Sequence, residues 1–370
     1  MTGGNKVLAF FDEWVDPAGP EMVAAIPGVD VVRMDATQPF EENWPVLEAA
    51  HGYQLRPSTE TLPEFYPNAE LIRRCPNLLA ISSAGAGYDM VDVEACTEAG
   101  VLLFNQTGAN AESVVQHALA MMLTLSKQLI QSDRAIRGQA RDWTRWDYTG
   151  RELTKKTVGI VGLGNIGRRL AAICGSIFDM RVLAYDPYIS DDDVRERGAE
   201  RAAGLPEMFA ESDFISVHCP LTDETRCMVS GALFDAMKPE AFFITTARGG
   251  IHDEAALENT LRAGRIAGAG LDVFEEEPPA FDHPLLGFEN VIVSPHNAGV
   301  TLDCNYNMAV SAAEQWADLF AGGRPSKLVN TDAWEKFQGR YQSILGLHIS
   351  LSFRFSSFLL FLYYGGQYKA

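Results

Sequence analysis

The sequence is short of basic residues, of paired cysteines and of long apolar runs. Against 49 aspartates and glutamates stand 30 lysines and arginines, a formal net charge of −19. So acidic a surface disfavours nucleic acid and anionic membranes, and an anionic small molecule would need a local cluster of positive groups. The six cysteines (Cys75, Cys96, Cys174, Cys219, Cys227, Cys304) include no C-x-x-C pair, which argues against a disulfide frame and against a zinc site. No metal is expected. Near the start, the apolar run Val7 to Phe11 is followed by acids, which is not the build of a secretory leader. These absences together suggest a soluble cytoplasmic protein with no membrane or nucleic-acid partner. There is no short-period repeat and no low-complexity tract. What is present is a chain of 370 residues, 47% hydrophobic and 21% charged, enough for two ordinary domains with a sizeable core.

The most informative stretch begins at residue 157 as Thr-Val-Gly-Ile-Val-Gly-Leu-Gly-Asn-Ile-Gly. Residues 157–161 are mostly β-branched and uncharged, as a buried parallel strand should be. Gly162, Gly164 and Gly167 then follow in G-x-G-x-x-G spacing and run into an amphipathic helix pattern. A second strand, Val182-Leu183-Ala184-Tyr185, delivers Asp186, 19 residues (186 − 167) past the last glycine. Gly162 permits a tight turn, Gly164 lets the backbone approach a pyrophosphate, and Gly167 packs helix on strand. The helix N-terminus adds free N–H groups and a partial positive charge. Asp186 suits the adenosine ribose hydroxyls, and Pro187-Tyr188-Ile189-Ser190 offers no base for a 2′-phosphate. The pattern points to NAD.

Before that point, residues 6–104 read as a first α/β unit. Strand candidates are 7–11, a weaker stretch around Val31-Val32, and 78–82. The last is followed by Ala84-Gly85-Ala86-Gly87-Tyr88-Asp89, a loop whose N–H groups suit a carboxylate or merely make a tight turn. Residues 110–137 predict one long helix with Asn110 as N-cap and Val115, Leu119, Met122 and Leu125 on one side. Residues 139–154, with Trp143, Trp146 and Tyr148, read as an arm lying on something else. From 157 onward strands are expected at 157–161, 181–185, 214–218, 241–246, 268–273 and 290–294. Their alternation with helices predicts a doubly wound parallel sheet, and 304–320 reads as a final helix. The stretch 343–370 is apolar, aromatic and free of acids, its longest apolar run too short to span a bilayer. It suits an oligomer contact, a membrane-surface segment or an extension foreign to the fold.

Three polar residues stand just past predicted strands, where open α/β sheets place ligands: Arg248, Glu277 and His296. A cation, a carboxylate and an imidazole at one sheet edge suit reduction of a 2-keto acid. Arg248 can hold the substrate carboxylate with both arms of its fork. His296 can pass a proton to the carbonyl oxygen while Glu277 steadies the imidazolium. Taken singly, each also fits a structural role.

As a set the motifs resemble the D-isomer-specific 2-hydroxyacid dehydrogenases, close to the phosphoglycerate dehydrogenase-like branch. The matching stretches are Ala84 to Asp89, Val161 to Arg168, His218-Cys219-Pro220-Leu221-Thr222, Thr246-Ala247-Arg248-Gly249-Gly250, Leu271 to Pro278 and Ser294-Pro295-His296-Asn297-Ala298. The family's arginine, glutamate and histidine fall on Arg248, Glu277 and His296, spaced by 29 (277 − 248) and 19 (296 − 277) residues. The resemblance covers roughly residues 5–340.

It implies an α/β protein of two Rossmann-like or flavodoxin-like domains with doubly wound parallel sheets and a cleft between them. The substrate domain would be discontinuous, 1–104 and 302–342, with the NAD-binding domain at 105–301 and the tail at 343–370. Cofactor contacts would come from Gly162, Gly164, Asn165, Ile166, Gly167, Asp186, His218, Pro220, Thr246, Ala247, Arg248, Asp272 and His296, with Asp272 on the nicotinamide carboxamide. Substrate contacts would come from Arg56, Gly85, Ala86, Gly87, Asn110 and Arg248, and the helix and arm at 110–154 would make a homodimer. Departures exist: Thr245 stands where many members have Asn, and Gln116 replaces the usual Glu before His117. Ser58 sits where phosphoglycerate enzymes often carry a second arginine, which counts against a phosphorylated substrate. The activity expected is NAD-dependent interconversion of a D-2-hydroxyacid and its 2-keto acid. A non-catalytic NAD-sensing corepressor and a formate or phosphonate dehydrogenase relative are the alternatives.

Overall fold

Short runs dominated by Val, Ile, Leu and Phe become strands in the computed structural model, which describes residues 5–56, 61–138 and 142–347. Two units emerge, one formed by Met1–Asn110 with Thr301–Ala370 and the other by Ala111–Val300. The first unit's sheet contains β1 (Lys6–Phe11), β2 (Val29–Met34), β3 (Gly52–Gln54), β4 (Ala80–Ser82) and β5 (Leu102–Phe104). All pair in parallel, in the order β2-β1-β3-β4-β5. Successive side chains enter opposite cores: Leu8 packs with Trp316 and Phe337, and Ala9 with Trp44 and Phe65. A sheet covered on both faces explains why β1 reads as a continuous apolar run rather than an alternating one.

The second unit's sheet contains β6 (Thr157–Val161), β7 (Arg181–Tyr185), β8 (Glu200–Arg201), β9 (Phe214–Val217), β10 (Phe242–Thr245), β11 (Gly268–Leu271) and β12 (Val291–Val293). It is parallel throughout, in the order β12-β11-β10-β9-β6-β7-β8. Strand order reverses at β6, and the crevice past the carboxyl end of such a switch strand is where this architecture binds ligands. The fold is therefore the expected α/β arrangement of two doubly wound parallel sheets. Unit boundaries fall at 110/111 and 300/301, against 104/105 and 301/302 expected from the sequence.

Three expectations need correction. The single helix over 110–137 is two, Ala111–Ser126 and Leu129–Arg137. Gln128 takes φ 51° between them, and the Ser126 carbonyl that would continue the helix accepts from Arg151 N–H at 2.7 Å. A Cβ on Gly150 would lie 2.5 Å from that same carbonyl oxygen, so the returning segment needs glycine to come this close. Secondly, 304–320 is not the final helix. The helix Leu302–Phe320 is followed by Trp334–Leu345, whose Phe337 and Tyr341, one turn apart, are buried in the first unit. Thirdly, the tail does not begin at 343, because Ile344 and Leu345 complete that helix and pack on the same core. The chain turns out at Gly346, φ 65°; the part of the tail from 348 onward, like Ser58, lies outside the described residues.

The helix Leu302–Phe320 belongs to the first unit through Trp316, which is fully buried and donates to Gln54 Oε1 at 2.9 Å. Its ring lies against β3, where a Cβ on Gly52 would come within 2.6 Å of it. Among the described residues no helix is long and apolar enough to cross a membrane. All six cysteines there are free thiols, and no cluster of His, Cys, Asp and Glu could hold a metal ion.

His252 is the anomaly of the second core. It is 1% exposed, neither ring nitrogen has a hydrogen-bond partner among the described residues, and its ring faces Phe243 at 5.4 Å. Burial pushes its pKa down to about 4, whereas an unfolded histidine takes its proton near ~6.5. Between those values the unfolded chain binds the extra proton, so His252 makes stability fall as pH drops from about 6.5 to about 4. His252→Leu should therefore hold or raise stability at neutral pH and flatten the acid loss by up to about 3 kcal/mol. Urea denaturation of the two proteins at several pH values checks this; parallel curves would contradict it.

Candidate functional site

The glycine turn follows β6 directly. Gly162 has φ 87°, and a Cβ there would lie 2.8 Å from the Cys219 backbone nitrogen. Gly167, in the first turn of the helix Asn165–Phe178, would carry a Cβ 2.1 Å from the Gly162 carbonyl oxygen, so helix and turn come this close only because residue 167 is glycine. Gly164 is the N-cap; no side chain caps the helix, and a Cβ on Gly164 would meet nothing within 4 Å. Uncapped N–H groups beside open space at a 14-residue helix are what a pyrophosphate requires. The residues present thus fit a dinucleotide. Asn165 and Ile166 occupy that first turn, Asn165 accepting from Arg168 at 2.7 Å and Ile166 packing on the core.

Asp186 follows β7 directly, as expected, with a tie invisible in the sequence: Oδ2 accepts from Leu163 N–H at 2.9 Å and Oδ1 from Tyr188 N–H at 3.1 Å. The carboxylate braces the glycine turn and keeps acceptor capacity on both oxygens. Two arginines reach the turn from further along the chain. Arg197 donates to the Leu163 carbonyl at 2.7 Å, and Arg201 to the carbonyls of Asp186 and Ile189 at 2.9 and 2.5 Å. The expectation that no base adjoins Asp186 holds for residues 187–190 but not for the folded loop.

Past β9 and β10 come His218 and Thr246. His218 Nε2 meets Ser216 Oγ at 2.8 Å and Nδ1 lies 3.5 Å from Thr246 Oγ1. Although the ring keeps a partly accessible edge, the packing around it pushes its pKa down to about 4. Pro220 is exposed, its carbonyl accepting from Thr225 Oγ1 at 2.7 Å. Thr246 and Ala247 are buried, and Arg248 Nη1 donates back to the Ala247 carbonyl at 2.6 Å. The next residue, Gly249, lies so close to the loop after β11 that a Cβ would be 1.8 Å from the Phe274 carbonyl oxygen. The loops carrying Arg248 and Glu277 are thereby pressed face to face.

Glu277 and His296 meet: Nδ1 lies 2.7 Å from Oε2, while Oε1 accepts from Phe274 N–H at 3.0 Å. Burial alone would raise the Glu277 pKa, but the hydrogen bond and charge of His296, the Phe274 N–H and the Arg248 charge outweigh it and hold the carboxyl below its usual range. His296 itself sits at φ 52°, an uncommon conformation for a non-glycine residue. It is held there by its N–H on the Asp272 carbonyl at 2.7 Å.

Asp272 is the second tie the sequence did not disclose. It is 1% exposed, and its carboxylate accepts from Ser294 Oγ (2.6 Å), Asn297 N–H (2.9 Å) and Ala298 N–H (3.0 Å). His117 in turn meets Ser294 Oγ at 2.9 Å. Ser294 and His117 were missed; the signal was the position of Ser294 two residues before His296, immediately past β12.

The expected substrate residues other than Arg248 lie in the first unit. Arg56 pairs with Asp12 at 2.5 Å. The carbonyls of Gly85, Ala86 and Gly87 are taken by Gln106 N–H (2.8 Å), Asn105 Nδ2 (2.7 Å) and Ser83 Oγ. Trans peptides then turn the N–H groups of Ala86, Gly87 and Tyr88 the opposite way, as the expected carboxylate contact would need. Asn110 is a half-buried turn residue immediately before the helix Ala111–Ser126.

Comparison with known proteins gives this geometry a context. Residues 119–298 match the family model described as D-isomer specific 2-hydroxyacid dehydrogenase, NAD binding domain. The chain is 36% identical over 270 residues to a glyoxylate reductase of Aeropyrum pernix, covering 72% of this chain and 80% of that protein. It is 37% identical over 268 residues to a D-3-phosphoglycerate dehydrogenase of Archaeoglobus fulgidus, covering 72% of this chain and 50% of that protein. The chain spans about half the length of the phosphoglycerate dehydrogenases it matches. Among solved structures, a D-lactate dehydrogenase from Aquifex aeolicus complexed with NAD and lactic acid is similar at TM-score 0.73 and 28% identity, over 88% of this chain and 99% of that one.

The arrangement at Asp186 generates a prediction. A 2′-phosphate would meet the Asp186 carboxylate, while both nearby guanidinium groups are committed to backbone carbonyls. Catalytic efficiency with NADH should exceed that with NADPH by about tenfold or more. Steady-state rates with both cofactors decide it, and comparable efficiencies would contradict it.

Proposed function

The chain belongs to the D-isomer specific 2-hydroxyacid dehydrogenase family, and from that premise we propose that it interconverts a D-2-hydroxyacid and the matching 2-keto acid with NAD. The observation that carries this is the 2.7 Å His296–Glu277 contact beside the loop of Arg248. When bound, the nicotinamide supplies or accepts the hydride. The glycine turn Gly162–Gly167 holds the pyrophosphate, Asp186 the adenosine ribose, and His218, Pro220, Thr246 and Ala247 the neighbouring surface of the nucleotide. Asp272 Oδ2 accepts from Ala298 N–H and keeps acceptor capacity that the carboxamide would use.

Arg248 receives the substrate carboxylate in bidentate fashion. With Nδ1 held on Glu277, Nε2 is the nitrogen of His296 left to face the substrate oxygen. It gives its proton to the carbonyl oxygen in reduction and takes it from the hydroxyl in oxidation. The Glu277 carboxylate offsets the imidazolium charge from which reduction starts and which oxidation creates. The exposed Leu129, Ile136 and Trp146 support a homodimer through the helix pair and arm, readable as native mass by light scattering.

A screen of NADH oxidation with glyoxylate, hydroxypyruvate, pyruvate and 3-phosphohydroxypyruvate, with formate and phosphite as NAD reductants, tests the reading. Reduction of at least one keto acid to the D-hydroxyacid is expected, and turnover of formate or phosphite alone would overturn it. On the best substrate, Arg248→Lys keeps the charge but loses the fork. It should lower kcat/KM by about 100-fold or more with NADH affinity nearly unchanged. A lysine variant as active as the parent would remove the bidentate role.

A further inference from the structure

Behind Glu277 lies a second carboxylate–imidazole pair that the proposed reaction does not use. Glu254 is the first residue of the helix Glu254–Arg262, which starts where the Arg248 loop ends. Its placement is fixed by the N-cap Asp253, whose side chain accepts from Ala256 N–H at 2.9 Å. Glu254 Oε1 accepts from the backbone N–H of Glu275 at 2.7 Å, two residues before Glu277, and Oε2 meets His283 Nε2 at 3.1 Å. His283 Nδ1 accepts from Leu285 N–H at 3.3 Å, so the bond pattern puts the ring proton on Nε2, donating to Glu254. Both side chains are mostly buried, 19% and 12% exposed for His283 and Glu254, and the His283 ring stands edge-on to Phe274 at 5.4 Å. In a site of that burial a charged acceptor and a matched donor make a strong pair.

We propose that Glu254 and His283 are positioning residues that act through the 274–277 loop to keep Glu277 on His296. The loop is held from two sides. Gly249 packs flat against Phe274 and Glu275, which fixes its distance from the Arg248 loop. Glu254 and His283 fix its orientation, since Glu254 grips the Glu275 amide and His283 grips Glu254. Phe274 N–H, the amide just before, is the donor that orients Glu277 Oε1. Releasing the Glu275 amide lets the neighbouring peptides rotate, and the 2.7 Å contact to His296 is lost with them.

This rests on the Glu277–His296 pairing that carries the proposed function, so the test reads that pairing without requiring turnover. In protein labelled with ¹⁵N-histidine, the His296 Nδ1 resonance, assigned with a His296→Gln variant, is compared at one pH across variants. Glu277→Gln supplies the displacement expected when the carboxylate is lost. Glu254→Ala and His283→Leu should move the signal in the same direction, by at least half as much. His283→Gln keeps a donor where Nε2 lies and should return it close to the parent position. If Glu254→Ala does not fold, the His283→Leu and His283→Gln pair decides alone. A signal that moves in Glu277→Gln but stays in place in the folded Glu254→Ala and His283→Leu variants would overturn the positioning role and leave the proposed function standing. A His283→Gln signal displaced as far as that of His283→Leu would also overturn it. A signal unmoved even in Glu277→Gln would remove the pairing itself, and the proposal with it.

Discussion

The contact between His296 Nδ1 and Glu277 Oε2, 2.7 Å long, governs what the second unit can do chemically. An imidazole bonded to a carboxylate through one nitrogen has its ring plane set and its other nitrogen reserved. The acid is costly to hold there, because half-burial disfavours its charge. It stays ionised because the imidazole, a backbone N–H and the Arg248 charge together exceed that penalty. The histidine's backbone is also in an uncommon conformation, φ 52°, a strain of about 1–3 kcal/mol in general. That strain is met by the Asp272 carbonyl and, through Asn297 and Ala298, by the Asp272 carboxylate. Asp272 is thereby tied down at both ends: its carbonyl takes the His296 amide and its carboxylate those of Asn297 and Ala298.

The sheet explains why these groups meet. β10, β11 and β12 are adjacent and parallel, so the loops that leave their carboxyl ends carry Arg248, Glu277 and His296 to one edge. The glycine turn leaves β6 at the same end of the sheet, two strands away from β10 with β9 between. Parallel pairing therefore does by topology what no local sequence rule could, bringing together residues up to 134 positions apart (296 − 162). Fine spacing is then set by absences. Without side chains on Gly249 and Gly167, backbone meets backbone at distances that any Cβ would prevent.

Much of this was legible in the sequence where the demand is local. The glycine spacing, the strand before it and Asp186 after it each answer a requirement of a few neighbouring atoms. The same holds for Arg248, Glu277 and His296, each a polar residue a few positions past a predicted strand. Features that depend on a distant partner were not legible. The helix break at Gln128 needs the Arg151 amide, 23 residues on (151 − 128), to take the Ser126 carbonyl. Arg197 and Arg201 reach the Asp186 loop only after an intervening helix turns back. The helix Trp334–Leu345 was hidden because its few apolar positions, Phe337 and Tyr341 among them, sit next to an apolar tail that masks the amphipathic pattern. β8, two residues long, carries no periodicity to read.

The pairing of Glu277 with His296 makes opposite demands of the two directions of the proposed reaction. Reduction needs the imidazole protonated and oxidation needs it neutral, and a neighbouring carboxylate favours the protonated form. Glu277→Gln keeps the shape and removes the charge that favours the protonated form. The most direct measurement is kcat/KM against pH in both directions, for the parent and for Glu277→Gln. The account predicts that the alkaline limb of reduction and the acid limb of oxidation both move to lower pH in the variant. A reductive limb that stays in place, or moves to higher pH, would contradict it.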